Sequence, residues 1–160
     1  MDTDVEVLKD FEPLLEHECI LGFEEKNFVA TSLMGAVKEH PLFKEFADIY
    51  KGLRFIDEDG NINTETNVKK LTEMLKKQGL KCDNQMQVLR GGITVFPQEY
   101  FSPYDYINCY YKITENSFCV HHFFVSWMPW GTKLKKNIKK IAVKTIGPDR
   151  MNHFRERFMR

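Results

Sequence analysis

The chain reads as a mixed α/β protein, and three observations predict it. Apolar residues recur at helical spacing in two stretches, Leu42 to Leu53 and Val68 to Leu75. Short runs rich in Val, Ile and Phe, at 5–7, 18–23, 88–96 and 118–124, have the character of strands. Clusters of Gly, Pro, Asn and Asp separate these runs where the backbone must turn.

Length and composition bound the rest. At 160 residues the chain is most simply one domain with a true core. A hydrophobic content of 42% with 29% charged residues is ordinary for a soluble globular protein. Thirteen Phe and six Tyr make its core or a cleft unusually aromatic. The formal net charge of zero hides an asymmetry. Residues 1–60 carry 15 acidic and 6 basic side chains, whereas residues 133–160 carry 10 basic and 2 acidic ones. The split suggests an acidic front and a basic tail. Cys19, Cys82, Cys109 and Cys119 show neither C-x-x-C nor zinc-finger spacing, so they are expected as reduced thiols of an intracellular, cytoplasmic protein. No apolar run approaches the roughly 18 to 20 residues of a membrane span.

Taken in order, Val5 and Val7 alternate as in a strand, and Phe11 to Leu15, limited by Pro13, forms a turn or one helical turn. Glu18 to Phe23 is a short apolar strand, followed by mixed strand and turn from Asn27 to Gly35. His40-Pro41 opens a helix whose face carries Leu42, Phe43, Phe46, Ile49, Tyr50 and Leu53, ended by Gly52. His40 is expected to cap it or lie at the surface. Asp57 to Asn61 lacks the alternating ligands and closing Glu of an EF-hand and is expected as a solvated loop. Asn63-Thr64 is expected to cap a second helix, with lysines 69, 70, 76 and 77 on its wet side and Gly79 at its end. Gly91-Gly92 between Val88-Leu89-Arg90 and Ile93 to Phe96 predicts a hairpin. The aromatic, proline-marked stretch Phe96 to Tyr106 is expected as a loop, and Phe118 to Phe124 as a buried strand. Lys133 to Arg160 is expected as a basic amphipathic helix, apolar at Leu134, Ile138 and Ile141 and broken at Gly147-Pro148.

The chemistry is concentrated at the front. Asp2-Thr3-Asp4 beside a strand can hold a hard divalent cation through carboxylate oxygens and leave positions open for a diphosphate, although such pairs also occur in ordinary acidic turns. Late in the chain, period-two alternation puts His121 and His122 on opposite sides of their strand, so only one of the two can face a given cleft.

DTDVEVLKDFEPLL, ECILGFE, MGAVKEHP and ITENSFCVHHFFVSW occur in that order and resemble the glycosyltransferase family 32 proteins, whose members include bacterial capsule and lipopolysaccharide transferases. The likeness extends to about Trp130, and Phe96 to Pro103 is similar to a segment bordering the family's active cleft. It implies a GT-A-type catalytic portion at 1–130, with 131–160 as a basic helical tail packed on it. Because the family's motif follows a nucleotide-binding segment, the likeness also implies the C-terminal part of such an enzyme, with little transfer by the isolated piece.

The resemblance further implies a retaining, metal-dependent transfer of a hexose from a nucleotide sugar to a saccharide or lipid-linked saccharide. Mn²⁺ or Mg²⁺ would be held by Asp4 and Asp2, with Asp2 also on the donor. His121 is favoured for the metal side, with His122 behind it. Ser126 and Trp127 would meet the donor diphosphate. Glu24, Asn27, Ser32, Tyr100 and Tyr104 become candidates for the acceptor cleft, with Phe101 filling core. The tail is expected to dock on the domain, with peripheral contact to an anionic membrane as the other use; no motif supports nucleic-acid binding. Two rivals stand beside this reading. One is a non-catalytic carbohydrate- or partner-binding remnant. The other is a phosphatase of the haloacid dehalogenase type, whose motif expects Thr or Val where this chain has Glu6.

Overall fold

Two strands of this sequence are apolar on both faces, and the fold is built around them. The computed structural model describes residues 1–56, 58–106, 108, 110–123, 141, 143, 145–147 and 150. Strand β1 (Val5–Val7) is followed by a 3-10 turn (Glu12–Leu14), then β2 (Cys19–Glu25), β3 (Phe28–Val29) and β4 (Gly35–Ala36). Helices α1 (Pro41–Asp48) and α2 (Asn67–Lys77) lead to β5 (Gln87–Leu89) and β6 (Ile93–Phe96). Short α3 (Gln98–Phe101), β7 (Tyr104–Asp105), β8 (Tyr110–Tyr111) and β9 (Cys119–His121) complete the described elements.

The main sheet runs β3-β2-β6-β5, with β4 also on β2. β2 and β6 are parallel, with Cys19 opposite Ile93 and Gly22 opposite Phe96, and the other pairings are antiparallel. Alternation sends Leu21, Phe23, Ile93 and Val95 to one face, where Leu71 and Leu75 of α2 and Leu42 of α1 cover them. Ile20 and Phe96 go to the other face, against Leu14, Leu33, Phe101 and Cys119. Gly22 belongs to that second face for a steric reason: a Cβ there would stand 2.5 Å from Phe101 Cδ2. Its bare backbone lets α3 lie on the sheet.

The hairpin forms as predicted, because Gly91 and Gly92 both take positive φ, at 76° and 71°. His40 does cap α1, accepting from Leu42 N–H at 3.3 Å, but it is buried and its Nε2 lies 2.9 Å from the Gly91 carbonyl. Several expectations need correction. α1 stops at Asp48, and only Leu42 of its apolar face is buried, with Phe43, Tyr50 and Leu53 exposed. α2 starts later than expected: Thr66, not Asn63-Thr64, accepts from Lys69 N–H. Lys70 is buried rather than wet, because Glu65 pairs with its ammonium. β9 ends at His121 and Phe123 adopts φ 50°, off the extended backbone of a strand, while Phe124 lies outside the described residues. In the tail, Val143 is buried while Ile141 is exposed, and Gly147 turns at φ 89°. Leu134, Ile138 and Pro148 lie outside the described residues, as do Asp57 and Cys109.

Candidate metal centre

The first carboxylates of the chain sit in a turn rather than in a strand. Val5 N–H reaches the Asp2 carbonyl at 3.4 Å, and Asp2 N–H donates to the Ser32 carbonyl at 2.8 Å. β1 then pairs antiparallel with β9, Val5 opposite His121 and Val7 opposite Cys119. His122 N–H extends the ladder to the Asp4 carbonyl at 3.0 Å. Because Asp4 precedes the strand, its side chain is not bound by strand alternation and reaches His121, whose Nε2 lies 3.2 Å from Oδ1.

Asp2, Asp4 and His121 thus offer two carboxylates and one imidazole whose ligand atoms all lie within 4.8 Å of one another. Ligands bound at about 2.1 Å to one ion stand roughly 3 to 4 Å apart, so small side-chain adjustments close the set on a cation. Asp4 and His121 are half-buried and Asp2 is exposed, which leaves one side open to solvent or substrate. The His121 ring lies against Phe123, centroids 3.9 Å apart, and its buried Nδ1 has no hydrogen-bond partner among the described residues. An unpaired buried polar atom costs about 1–3 kcal/mol, a cost that native structures tend to carry at functional sites.

A β-bulge brings a third carboxylate close. β2 pairs Phe23 with Val29 but Glu25 with Phe28, so Glu24 is the extra residue and its side chain is re-aimed. Tyr106 donates to Glu24 Oε1 at 2.9 Å. Burial pushes the Glu24 carboxyl above its usual range, against the lowering effects of the Tyr106 hydrogen bond and His121, while Glu25 and Asp2 push it up further. The Tyr106 hydroxyl is pushed upward by burial and then by Glu24, so it remains a donor. Burial, with Asp4 and Glu6 adding to it, likewise raises Tyr111.

The other expected site residues divide. Ser32 is buried beside Asp2, with its Oγ unpartnered among the described residues. Tyr104 is buried, its ring 5.0 Å from Tyr106, 4.9 Å from Tyr111 and 5.5 Å from Phe123. His122 does not join the cluster: its Nε2 lies 2.8 Å from Glu6 Oε2 and its Nδ1 3.4 Å from the Tyr111 hydroxyl, on the opposite side of the strand. Tyr100 is half-buried, its ring packed on Phe96, Phe101 and Phe118 at the edge of the core. Asn27 sits exposed in the β2–β3 turn. Ser126 and Trp127 lie outside the described residues. Cys19, Cys82 and Cys119 are free thiols, and burial pushes Cys19 and Cys119 up to about 11, which keeps them protonated and inert.

Sequence reasoning passed over Tyr106 and Glu99. Glu99 accepts from Thr114 Oγ1 at 3.0 Å and Asn116 Nδ2 at 3.1 Å, and its carbonyl accepts from Ser117 Oγ at 2.7 Å. That clamp fixes the turn from which β9, and so His121, departs. The phosphatase alternative expects its aspartates in a parallel-sheet context, whereas here they precede a strand of an antiparallel pair. Among the described residues no helix is long and apolar enough to cross a membrane. No family model, curated protein or solved structure matches the chain.

Proposed function

We propose that the chain carries the cation-holding site of a GT-A-type, family 32-like glycosyltransferase, which moves a hexose from a nucleotide sugar to a saccharide hydroxyl with retention of configuration. The observation that carries this reading is the convergence of Asp2, Asp4 and His121. A solvated acidic turn gives no reason for an imidazole to arrive from more than a hundred residues later, held by the β1–β9 ladder.

Asp4, half-buried against His121, is the direct ligand in this reading, and exposed Asp2 serves the donor ribose and sugar or acts through water. Two carboxylate oxygens with one imidazole nitrogen suit Mn²⁺ well, and Mg²⁺ less well, since Mg²⁺ favours oxygen shells. Asp4, Asp2 and His121 would hold the ion, which when bound would supply Lewis acidity toward the diphosphate. Ser126 and Trp127 would offer a hydroxyl and an indole N–H to phosphate oxygens. Glu24 and Ser32 lie beside Asp2 and would be the nearest polar side chains to donor or acceptor hydroxyls. A front-face reaction, in which the leaving phosphate oxygen takes the acceptor's proton, requires no nucleophile from the protein. The basic residues from Lys133 to Arg160 would suit work at an anionic cytoplasmic membrane face on a lipid-linked acceptor.

Calorimetric titration with MnCl₂, then with UDP- and GDP-hexoses in MnCl₂, tests the reading. Asp4→Ala is expected to weaken both steps at least about tenfold, since even the outer partners of metal ligands are worth 10–100-fold. Nucleotide-sugar binding that survives both EDTA and Asp4→Ala would remove the basis for the assignment.

A further inference from the structure

A cleft of 610 Å³ opens between the β2–β3 turn, residues 84–85 and the α3–β7 segment. Its size lies within the roughly 300–1,000 Å³ of small-molecule sites. It shares a wall with the metal centre: Tyr106 lines the cleft, and the same hydroxyl holds Glu24 beside Asp2 and His121. We infer that this cleft is the acceptor subsite and that it takes a neutral saccharide, with Tyr106 as the positioning residue between sugar and cation. The inference rests on the transferase reading and adds the class of acceptor to it.

Three features select neutral sugar. The first is charge. Glu25, Glu99 and Asp105 face Lys26 and Lys112 around the same space, and among the described residues no arginine lines it, so a carboxylated or phosphorylated sugar finds no fixed cationic fork there. The second is hydrogen-bonding type. Vicinal hydroxyls donate and accept at once, and planar amide and carboxylate groups match them; Gln85 presents an exposed carboxamide that makes no hydrogen bond among the described residues. The third is an apolar surface beside these groups, from Pro97, Pro103 and the Tyr106 ring, for the C–H face of a pyranose.

The walls are already built, which lowers the ordering cost of binding. Gln98 Nε2 donates to the Glu24 carbonyl at 2.6 Å and the Tyr104 carbonyl at 2.9 Å, and Gln98 N–H donates to Asn84 Oδ1 at 2.7 Å. Asn108 donates twice to Asp105, each at 2.8 Å. The Tyr106 ring is held edge-on by Tyr104 and by Phe123, at 5.0 and 5.1 Å. Phe123 also touches His121, so a sugar pressing on Tyr106 is two ring contacts from the metal ligand.

The experiment is titration of the full chain, with and without MnCl₂, with neutral gluco-, galacto- and mannotriose and with trigalacturonate, followed by calorimetry and amide chemical shifts. Neutral trisaccharide is expected to bind and to shift the amides of Gln85, Tyr106 and Lys112. Gln85→Ala, at an exposed position, is expected to weaken that binding about fivefold, the worth of one net hydrogen bond, with Mn²⁺ affinity unchanged. Tyr106→Phe keeps the ring and releases Glu24, so it is expected to reduce the change in saccharide affinity that Mn²⁺ produces, and an unchanged Mn²⁺ dependence would show that Tyr106 does not couple sugar to cation. A folded chain that binds Mn²⁺ but no neutral trisaccharide, or that prefers trigalacturonate, overturns the subsite. Saccharide bound at Gln85 without any Mn²⁺ binding upholds the subsite and overturns the cation reading instead.

Discussion

The Glu24 carboxylate is aimed by a bulge and held by the Tyr106 hydroxyl, and its charge state depends on its burial and on that hydrogen bond. Its pKa is raised in the fold, chiefly by burial, above the ordinary value of 4.5. A raised pKa means that the fold favours the protonated form: the associated stability is intact below 4.5 and is lost as pH climbs through the folded value. With EDTA present, Glu24→Gln is therefore expected to raise Tm at pH 7 and to leave it nearly unchanged at pH 4. Calorimetry across that window checks it, and an equal gain at both ends would show that ionisation is not the cause. The two adjacent histidines separate in the same residue-level way. His121→Ala is expected to lose Mn²⁺ binding at least about tenfold. His122→Ala, which removes the pairing with Glu6 and Tyr111, should change it by less than about twofold. Equal losses in a direct Mn²⁺ titration would mean that strand sidedness does not govern the site.

The elements carry the core, and one hydroxyl ties two of them. Thr72 on α2 donates to the Val68 carbonyl at 2.7 Å and accepts from Val29 N–H of β3 at 2.9 Å, fully buried. Thr72→Val keeps the volume but leaves the Val29 N–H buried and unpaired, so a loss of about 1–3 kcal/mol is expected in urea unfolding. Gly22→Ala is expected to cost a similar amount by overpacking against Phe101. Much of this architecture is legible in the sequence. The two-faced apolar runs of β2 and β6, the Gly91-Gly92 reversal and the capping His40 announce themselves through periodicity and local chemistry. The Asp-x-Asp pair and His121 are legible as residue types, and their meeting is not contradicted by any local signal. What stays hidden depends on register. The bulge that turns Glu24 exists only through a mismatch between β2 and β3. The burial of Lys70 requires Glu65, and the exposure of Phe43 and Tyr50 reflects a helix that touches the core at one end only. Tyr106 carries no motif at all, and only its hydrogen bond to Glu24 marks it.

At the scale of the whole molecule, a cation at the front would clamp the first and last named strands together, because Asp2 and Asp4 precede β1 while His121 closes β9. A ligand that binds only the folded state at one hundred times its Kd adds about 2.7 kcal/mol of stability. For a chain of this length that corresponds to roughly 5–10 °C in Tm. Saturating MnCl₂ is expected to produce such a rise, and Asp4→Ala to abolish it, in a thermal scan at fixed protein concentration. No rise in the wild-type chain would mean that the three side chains meet without an ion to join them.

The ribbon of β1 and β9 has a kinetic corollary. Joining residues 5 and 121 closes a loop of over a hundred residues, an entropic cost of about 4 kcal/mol, against a ladder of three residue pairs. Such a seam zips only after the sheet between its ends has consolidated, and it reopens before that sheet does. Its amides should therefore lose protons to deuterated solvent sooner than those of β2 and β6. The seam that brings Asp4 and His121 together is then also the last part of the protein to become itself.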